Sequence, residues 1–357
     1  MKSDKTIVLT GGGTAGHVMV HVAILPELLK NFSQVHYIGT NSIEQKIMSD
    51  KNVVFHEIKA TKFTRGFTCK NFLLPFKLLK SINDCKNILK KIKPNVIFSK
   101  GGFVSLPVVI AGHKLGIPIV SHESDFSFGL ANKIILKKCN KMCLTFCNTS
   151  KNKKCVCTGL PLRKNLKNGN PFFVKCLAKF NCELPNLLIF GGSLGSKIIN
   201  KTIKNCVKEL TKMFNVVHIV GKNNLEKKLN FLNDYNIENY YQIEYANNMP
   251  DFFAWCDYIL SRAGANTIFE NLELKKPMLL IPLSKKGSRG DQIQNAKYFE
   301  KLGYAKVLLE ENLSETLLIL NLKKIVQEKN LFLQNFNNIK SNNSNENVLN
   351  VILEQSN

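Results

Sequence analysis

TIVLTGGGTAG (residues 6–16) joins an apolar, β-branched run to a cluster of glycines, and a helical pattern begins at His17. Glycine permits sharp backbone turns and close approach to a ligand, and a helix start offers N–H groups that hold anions. LLIFGGSLG (residues 187–195) repeats this order of strand, glycine loop and helix. The two stretches predict two similar units, each with a loop suited to a phosphorylated ligand.

Runs typical of strands alternate with helical patterns along the chain. Strands are predicted near 6–10, 35–38, 53–56, 95–99, 118–121, 142–145, 154–158, 187–190, 216–220, 240–245, 257–260, 278–282 and 305–308. Helices are predicted near 17–31, 42–49, 70–91, 104–115, 128–138, 196–213, 224–233, 264–273, 290–301, 314–327 and 345–356. Such alternation is typical of parallel sheets covered on both faces. We therefore predict an α/β protein with two Rossmann-like, doubly wound domains facing a cleft.

The weakest join lies at residues 159–171, GLPLRKNLKNGNP, where Pro, Gly, Asn and Lys are concentrated. We predict an N-terminal domain over residues 1–163 and a C-terminal domain over residues 164–357. The last helix is expected to pack back on the N-terminal domain. The Asn-rich segment 336–347 is predicted as a loop before that helix.

The charge is strongly basic, since 50 Lys and Arg oppose 26 Asp and Glu in 357 residues and give a net charge of +24. Such an excess attracts nucleic acid, anionic bilayers or phosphorylated substrates, although a Lys- and Asn-rich proteome would also produce it. No aromatic and basic pattern of a known nucleic-acid module is present, so nucleic acid is not expected as a partner. No window reaches the roughly 18 to 20 apolar residues of a membrane-spanning helix.

The 11 cysteines are an odd number in a chain too long to need disulfides, and we expect free thiols in a reducing compartment. Cys143, Cys147, Cys155 and Cys157 do not have zinc-ligand spacing. Packing in the core is the expected role of these four cysteines.

Polar or glycine-rich segments follow seven predicted strands, and ligands of doubly wound sheets bind at the carboxyl ends of strands. These segments are GGGTAGH (11–17), SKGGFVS (99–105), HESD (122–125), TGLPLR (158–163), GGSLGS (191–196), SRAGANTIFE (261–270) and PLSKKGSRGDQIQNA (282–296). Together they predict one ligand site.

A dinucleotide oxidoreductase is the first alternative, because Gly11, Gly13 and Gly16 match G-x-G-x-x-G. That fingerprint needs an acidic residue at the end of the second strand to bind a ribose. Here the second strand runs into Thr40, and the next acid is Glu44. The sequence therefore disfavours NAD.

Three single residues have both a functional and a structural interpretation. His17, in the first turn of a helix, is a hydrogen-bond partner or base, or a packing residue. Glu270, one turn into a helix, holds two sugar hydroxyls or is merely exposed. Arg163 pairs with a phosphate or belongs to a surface linker.

Residues 62–82, KFTRGFTCKNFLLPFKLLKSI, carry more apolar side chains than one buried stripe needs, with cations between them. This composition indicates an interfacial element that meets anionic headgroups. The alternative is a loop and helix packed in the N-terminal domain.

GGGTAGHV, HESD with GLANK, TGLPLR, GGSLGS, SRAGANTIFE and DQIQNA, in this order over nearly the whole chain, resemble the MurG family. The resemblance implies a GT-B glycosyltransferase fold. It also implies an inverting hexosyltransferase that uses neither metal nor cofactor. The implied reaction moves N-acetylglucosamine from UDP-N-acetylglucosamine to the C4 hydroxyl of undecaprenyl-diphospho-N-acetylmuramoyl-pentapeptide (lipid I to lipid II), in peptidoglycan synthesis. The implied location is the cytoplasmic face of the plasma (inner) membrane, peripherally bound at an anionic surface, with cell-wall synthesis and division proteins as further partners.

The resemblance also assigns residues by position. The catalytic positions are His17 and Asp125. The donor-binding positions are Thr14, Ala15, Gly16, Arg163, Ser193, Ala246, Gly264, Ala265, Asn266, Thr267, Glu270 and Gln292. The membrane positions, from the segment above, are Phe63, Arg65, Phe67, Phe72, Phe76, Lys77 and Lys80.

The sequence departs from the family at several of these positions. Ala15 replaces the commonest glycine, Val20 and His21 replace a proline-containing turn, and Asp125 replaces an Asn that contacts the sugar. The choice of base between His17 and Asp125 stays open. Two alternatives also stay open: a glycolipid glycosyltransferase with a diacylglycerol acceptor, and a non-catalytic, membrane-docked sugar-nucleotide-binding protein.

Overall fold

A computed structural model describes residues 3–60, 74–178, 180–192, 194–225, 238–339 and 343–357. The chain divides into two compact units, Met1–Arg163 with Asn342–Asn357, and Lys164–Ser341. Each unit contains one sheet whose strands all pair in parallel.

The sheet of the first unit has seven strands in the order β3-β2-β1-β4-β5-β6-β7. They are β1 Ser3–Thr10, β2 Phe32–Gly39, β3 Val54–Glu57, β4 Val96–Ser99, β5 Ile119–Glu123, β6 Lys141–Leu144 and β7 Cys155–Cys157. The chain order reverses where β1 lies beside β4, so the loops that leave these two strands separate to opposite sides of the sheet. Such a switch point opens a crevice at the carboxyl ends of the strands.

Five helices cover this sheet within the described part of residues 1–163. They are α1 Ala15–Asn31, α2 Ile43–Met48, α3 Leu74–Ile92, α4 Gly102–Lys114 and α5 Leu130–Lys138. The core joins apolar side chains of β1, β4 and β5 to the inner faces of α3, α4 and α5. The central strands are therefore buried on both faces, which explains their continuous apolar runs.

The sheet of the second unit has the order β10-β9-β8-β11-β12-β13. Its strands are β8 Asn186–Phe190, β9 Asn215–Ile219, β10 Tyr240–Ile243, β11 Tyr258–Ser261, β12 Met278–Leu280 and β13 Lys306–Val307. Its described helices are α6 Pro171–Lys175, α7 Lys197–Leu210, α8 Met249–Trp255, α9 Ala265–Glu273, α10 Asp291–Lys301, α11 Glu315–Gln327 and α12 Lys329–Asn337. Here the switch point lies between β8 and β11.

The last helix, α13 Ser344–Gln355, belongs to the first unit. Asn345 Nδ2 donates to the carbonyl oxygens of Ala23, at 3.1 Å, and Leu162, at 2.9 Å. Asn345 Oδ1 accepts from the backbone N–H of Leu162 at 2.9 Å. One side chain of α13 therefore links α1 to the segment that follows β7.

Every predicted strand overlaps an observed one, whereas three short helices went unpredicted. Helices α6 and α8 have five and seven residues and carry proline in their first turn, so they resembled loops. Helix α12 ends at Asn337, inside the segment predicted as an Asn-rich loop. Most of the predicted helix at 224–233 lies outside the described residues.

The expectation that all cysteines are free thiols was wrong for one pair. Cys147 and Cys157 form a disulfide with their Cα atoms 4.9 Å apart. Strands β6 and β7 are parallel neighbours that pair Leu144 with Cys157, and the turn after β6 brings Cys147 beside that pair. Both disulfide cysteines are exposed, so the predicted core role is also wrong for them, whereas Cys143 is buried and free.

Candidate functional site

The first glycine loop connects β1 to α1, and its backbone leaves no room for a Cβ at Gly12 or Gly13. Gly13 has φ +79°, and a Cβ there would lie 2.3 Å from Cε1 of Phe103. A Cβ on Gly12 would lie 2.5 Å from the carboxyl group of Glu44. Ala15 is the first residue of α1 and has no positive φ, as we expected for a residue with a Cβ.

The carboxylate of Glu44 holds this loop in place. It accepts from the backbone N–H of Gly13 at 3.3 Å, from the N–H of Thr40 at 3.0 Å and from the Thr40 hydroxyl. Glu44 is fully buried, and a buried carboxylate needs such donors. The acid that follows the second strand therefore binds the protein's own backbone, a role that sequence spacing did not reveal.

His17 lies in the first turn of α1 with one ring nitrogen fixed. Its Nδ1 is 2.8 Å from the carbonyl oxygen of Gly12, and a carbonyl only accepts, so Nδ1 carries the hydrogen. The lone pair of the neutral ring is then on Nε2, which makes Nε2 the basic atom. A Cβ on Gly102 would lie 2.9 Å from Cε1 of His17, so the half-buried ring lies against the start of α4.

Glu123, at the end of β5, organises the segment that carries Asp125. Its Oε1 accepts from the N–H of Asp125 at 3.1 Å. Its Oε2 accepts from the N–H of Gly129 at 3.1 Å and from Nδ2 of Asn132 at 2.9 Å. Glu123 is buried and Asp125 is half-buried. The backbone of Asp125 is thus fixed at the carboxyl end of the sheet that also carries His17.

In the second unit, Arg262 joins three segments that follow strands. Its Nη2 donates to the hydroxyl of Ser196, the N-cap of α7, at 2.7 Å. Its Nη1 donates to the carbonyl oxygen of Ile281 at 3.1 Å, and the guanidinium forms an ion pair with Glu310. Arg262 therefore fixes the second glycine loop relative to the loops after β11 and β12.

The start of α9 is open to a ligand. Gly264 is its N-cap, and a Cβ built on Gly264 would meet no atom within 4 Å. Ala265 is buried, and Asn266, Thr267 and Glu270 are half-buried on the following turns. Because a helix start presents backbone N–H groups and a partial positive charge, this position can receive a phosphate group.

Four further candidate donor residues belong to segments of the chain other than α9. Ala246 is buried in the loop after β10, and half-buried Arg163 ends the first unit. Gln292, in the first turn of α10, accepts through Oε1 from the N–H of Leu283 at 3.0 Å, which orients its side chain. Ser193 lies outside the described residues.

The segment predicted to meet membrane is described only in part. Phe63, Arg65, Phe67 and Phe72 lie outside the described residues. On α3, Phe76 is 72% exposed and Leu79 is 60% exposed, and the exposed Lys77 and Lys80 alternate with them. The later turns of α3 instead bury Ile82, Cys85 and Leu89 in the core.

The described residues thus form two groups, one in each unit. In the first unit, Thr14, Ala15, Gly16, His17 and Asp125 follow β1 and β5. In the second unit, Ala246, Gly264, Ala265, Asn266, Thr267, Glu270 and Gln292 follow β10, β11 and β12. Sequence reasoning missed Glu44, Glu123 and Arg262, which hold these loops through long-range contacts.

Both halves of the chain match known domains. Residues 7–144 match the glycosyltransferase family 28 N-terminal domain, and residues 186–351 match the glycosyltransferase family 28 C-terminal domain. The chain belongs to glycosyltransferase family 28. It is an enzyme of the hexosyltransferase type, which the match to glycosyltransferase domains favours over the NAD-dependent alternative.

Curated relatives share nearly the whole chain. Proteins of Clostridium novyi (45% identical, 98% of both chains), Clostridium tetani (46%, 98% and 97%) and Clostridium kluyveri (48%, 92% and 93%) are similar to it. Each is named UDP-N-acetylglucosamine--N-acetylmuramyl-(pentapeptide) pyrophosphoryl-undecaprenol N-acetylglucosamine transferase.

Solved structures give the fold class. The crystal structure of Acinetobacter baumannii MurG superposes with a TM-score of 0.77 at 23% identity over 98% of this chain and 99% of that one. Arabidopsis thaliana UGT89C1 complexed with UDP superposes with a TM-score of 0.70 at 12% identity over 99% and 100%. This family 28 glycosyltransferase has one parallel sheet in each of its two units, which is the GT-B fold that the sequence predicted.

Proposed function

We propose that this chain transfers N-acetylglucosamine from UDP-N-acetylglucosamine to the C4 hydroxyl of undecaprenyl-diphospho-N-acetylmuramoyl-pentapeptide, which converts lipid I to lipid II. The observation that supports this proposal most strongly is the 45 to 48% identity, over at least 92% of this chain, to three Clostridium proteins named for this transfer. The reaction belongs to peptidoglycan synthesis, so cell-wall synthesis and division proteins are natural partners.

The second unit binds the donor in this proposal. Backbone N–H groups from Gly264 to Thr267 hold the diphosphate at the start of α9, because Gly264 leaves the approach open. Glu270 takes the ribose hydroxyls, and Gln292, already oriented by Leu283, takes hydroxyls of N-acetylglucosamine. Ala246 meets uracil through its backbone. The family resemblance also assigns donor contacts to Arg163, Ser193 and the loop of Thr14, Ala15 and Gly16.

His17 is the base in this proposal. Its Nδ1–H donates to Gly12, which places the basic lone pair on Nε2 and suits removal of the proton from the acceptor C4 hydroxyl. In-line attack at the anomeric carbon then inverts its configuration as the bond to UDP breaks. The N–H groups at the start of α9 stabilise the negative charge that develops on the UDP leaving group.

An assay of both products tests the reaction. The purified protein, given UDP-N-acetylglucosamine and lipid-linked muramoyl-pentapeptide, should release UDP in proportion to the lipid II formed. Mass spectrometry measures both products. A parallel reaction contains diacylglycerol as the only acceptor. Turnover only with diacylglycerol would support the glycolipid alternative. Donor binding without turnover on an acceptor that a control enzyme accepts would support the non-catalytic alternative.

The same proposal places the protein peripherally on the anionic cytoplasmic face of the plasma membrane. In the described part of the chain, no helix combines the length and apolarity needed to cross a bilayer. The first turns of α3 expose Phe76 and Leu79 beside Lys77 and Lys80, which pairs apolar side chains with cations. Such a surface suits binding to anionic headgroups with shallow apolar insertion.

Changing Phe76 and Leu79 together to Ser should weaken binding to vesicles of anionic phospholipid by about tenfold, since each loses apolar area that lipid would cover. Sedimentation with vesicles measures the binding. The matched control changes Phe172 and Leu331, which are 67% and 53% exposed in the second unit, to Ser and should leave binding unchanged. If the α3 variant binds vesicles as tightly as the control variant and the unchanged chain do, α3 does not meet the bilayer.

A further inference from the structure

One peptide group of the first glycine loop lies between a carboxylate and the imidazole of His17. This peptide joins Gly12 to Gly13. Its N–H, on Gly13, donates to Oε2 of Glu44 at 3.3 Å. Its carbonyl oxygen, on Gly12, lies 2.8 Å from Nδ1 of His17 and accepts the hydrogen that this nitrogen carries. Two hydrogen bonds through a single peptide therefore connect Glu44 to His17.

Peptide geometry explains how the two side chains share this group. The N–H and the C=O of a trans peptide point in opposite directions, so Glu44 and His17 contact opposite edges of one planar unit. Hydrogen bonds connected in this way polarise one another. Because the carboxylate attracts the hydrogen of the Gly13 N–H, the Gly12 carbonyl oxygen becomes a stronger acceptor for the Nδ1–H of His17.

The Glu44 end of this connection is fixed within the protein. Glu44 is fully buried, and its Oε1 accepts from the backbone N–H of Thr40 at 3.0 Å and from the Thr40 hydroxyl. A Cβ on Gly12 would lie 2.5 Å from Cδ of Glu44, and a Cβ on Gly39 would lie 3.0 Å from its Cγ. The absence of side chains at both glycines thus lets the carboxyl group lie directly against the loop backbone.

The His17 end is fixed by the start of α4. A Cβ built on Gly102 would lie 2.9 Å from Cε1 of His17 and 3.0 Å from its Nδ1, and 3.5 Å from the carbonyl oxygen of Gly12. The backbone of Gly102 therefore packs against the ring edge that carries Nδ1. This packing keeps Nδ1 at the carbonyl and leaves Nε2 as the basic atom.

We propose that Glu44 is a positioning residue that acts on His17 through the Gly12–Gly13 peptide. Its buried carboxylate holds the peptide so that the hydrogen stays on Nδ1 and the lone pair on Nε2. The inference rests on the proposed function, in which the acceptor hydroxyl gives its proton to Nε2. The hydroxyl oxygen then bonds to the anomeric carbon as the bond from that carbon to UDP breaks. The negative charge of Glu44 stabilises the positive charge that the ring gains in this step.

A double-mutant cycle in the full chain tests whether Glu44 acts through His17. Glu44→Gln is close in size but removes the charge, and it should lower kcat about tenfold or more while His17 is present. In the His17→Gln background the same change should alter kcat by less than about twofold, because the base is already absent. Losses that multiply in the combined variant would overturn the proposal.

Glu300→Gln is the matched control for loss of a carboxylate that accepts from a backbone N–H. In the second unit, Oε1 of Glu300 accepts from the N–H of Val307 at 3.0 Å. This variant should leave kcat unchanged. Calorimetry with UDP-N-acetylglucosamine should give the same donor affinity for Glu44→Gln as for the unchanged chain, so that the defect lies in kcat and not in donor binding.

Thr40→Val is a milder variant that keeps the test decisive if Glu44→Gln does not fold. It is close in shape to threonine, removes the hydroxyl that donates to Oε1 of Glu44, and leaves the backbone donors in place. It should lower kcat by roughly threefold, and only while His17 is present. An equal loss in the His17→Gln background would contradict the proposal.

Nitrogen-15 NMR of the histidine rings gives a readout that does not depend on turnover. His17, identified by the signals that His17→Gln lacks, should carry its hydrogen on Nδ1 in the unchanged chain and in Glu300→Gln. In Glu44→Gln the hydrogen should shift in part to Nε2. An unchanged His17 tautomer in folded Glu44→Gln would overturn the proposal. Failure of the unchanged chain to release UDP would instead reject the proposed function, while the tautomer would still report the effect of Glu44 on His17.

Discussion

A His17→Gln variant should lower kcat by about 100- to 10,000-fold, the usual contribution of general base catalysis. Glutamine is uncharged and close in size to histidine, but it offers no basic nitrogen in place of Nε2, the atom left with the lone pair when Nδ1 donates to Gly12 at 2.8 Å. Donor affinity, measured by calorimetry with UDP-N-acetylglucosamine, should change far less than kcat. Single-turnover kinetics with lipid-linked acceptor measure the chemical step directly.

Two further variants make this result specific. His113→Gln removes an exposed histidine at the end of α4 and should leave kcat unchanged. Asp125→Asn should retain more activity than His17→Gln, because the family resemblance gives this position to an Asn that contacts the sugar. If Asp125→Asn abolishes turnover and His17→Gln does not, the base assignment is wrong and Asp125 takes that role.

The sequence predicted the sheets well because their signal is local. The central strands β4, β8, β11 and β12 are short, mostly apolar runs that are almost entirely buried, which is the pattern expected of parallel strands covered on both faces. The missed helices α6 and α8 are too short to show a helical period, so only their packing in the second unit defines them. Length was not the only factor, because the six-residue α2 was predicted and the nine-residue α12, which ends in the Asn-rich segment, was not.

Glycine loops were predictable for a similar reason, whereas the side chains that hold them were not. Gly12 and Gly13 stand out in the sequence, but Glu44, which leaves no room for a Cβ on Gly12 and accepts a hydrogen bond from Gly13, lies 31 residues beyond Gly13. Lys100 appears in sequence as one lysine among many. Only the parallel pairing of β4 with β1 and β5 shows that it is buried. Contacts between residues so far apart in the chain follow no fixed sequence spacing, so the sequence alone does not predict them.

Arg262 is the same kind of residue in the second unit, and its loss should have the largest effect on stability. Arg262→Met should lower the free energy of unfolding by about 3–5 kcal/mol, the usual cost of leaving one member of a buried ion pair unpaired. The side chains of Arg262 and Glu310 are only 12% and 14% exposed, so water is a poor substitute for the missing cation. The Ser196 hydroxyl and the Ile281 carbonyl also lose a donor.

The single tryptophan of the chain, Trp255, is buried in the second unit, so its fluorescence during urea unfolding reports this unit. Lys212→Met is the matched control, because Lys212 and Glu209 pair at the surface with 70% and 62% of their side chains exposed. That control should cost about 0–1 kcal/mol. Adding Glu310→Gln to Arg262→Met should recover part of the loss, because it removes the unpaired charge. A loss from Arg262→Met as small as that of Lys212→Met would mean that the buried pair does not fix the loops that carry the donor site.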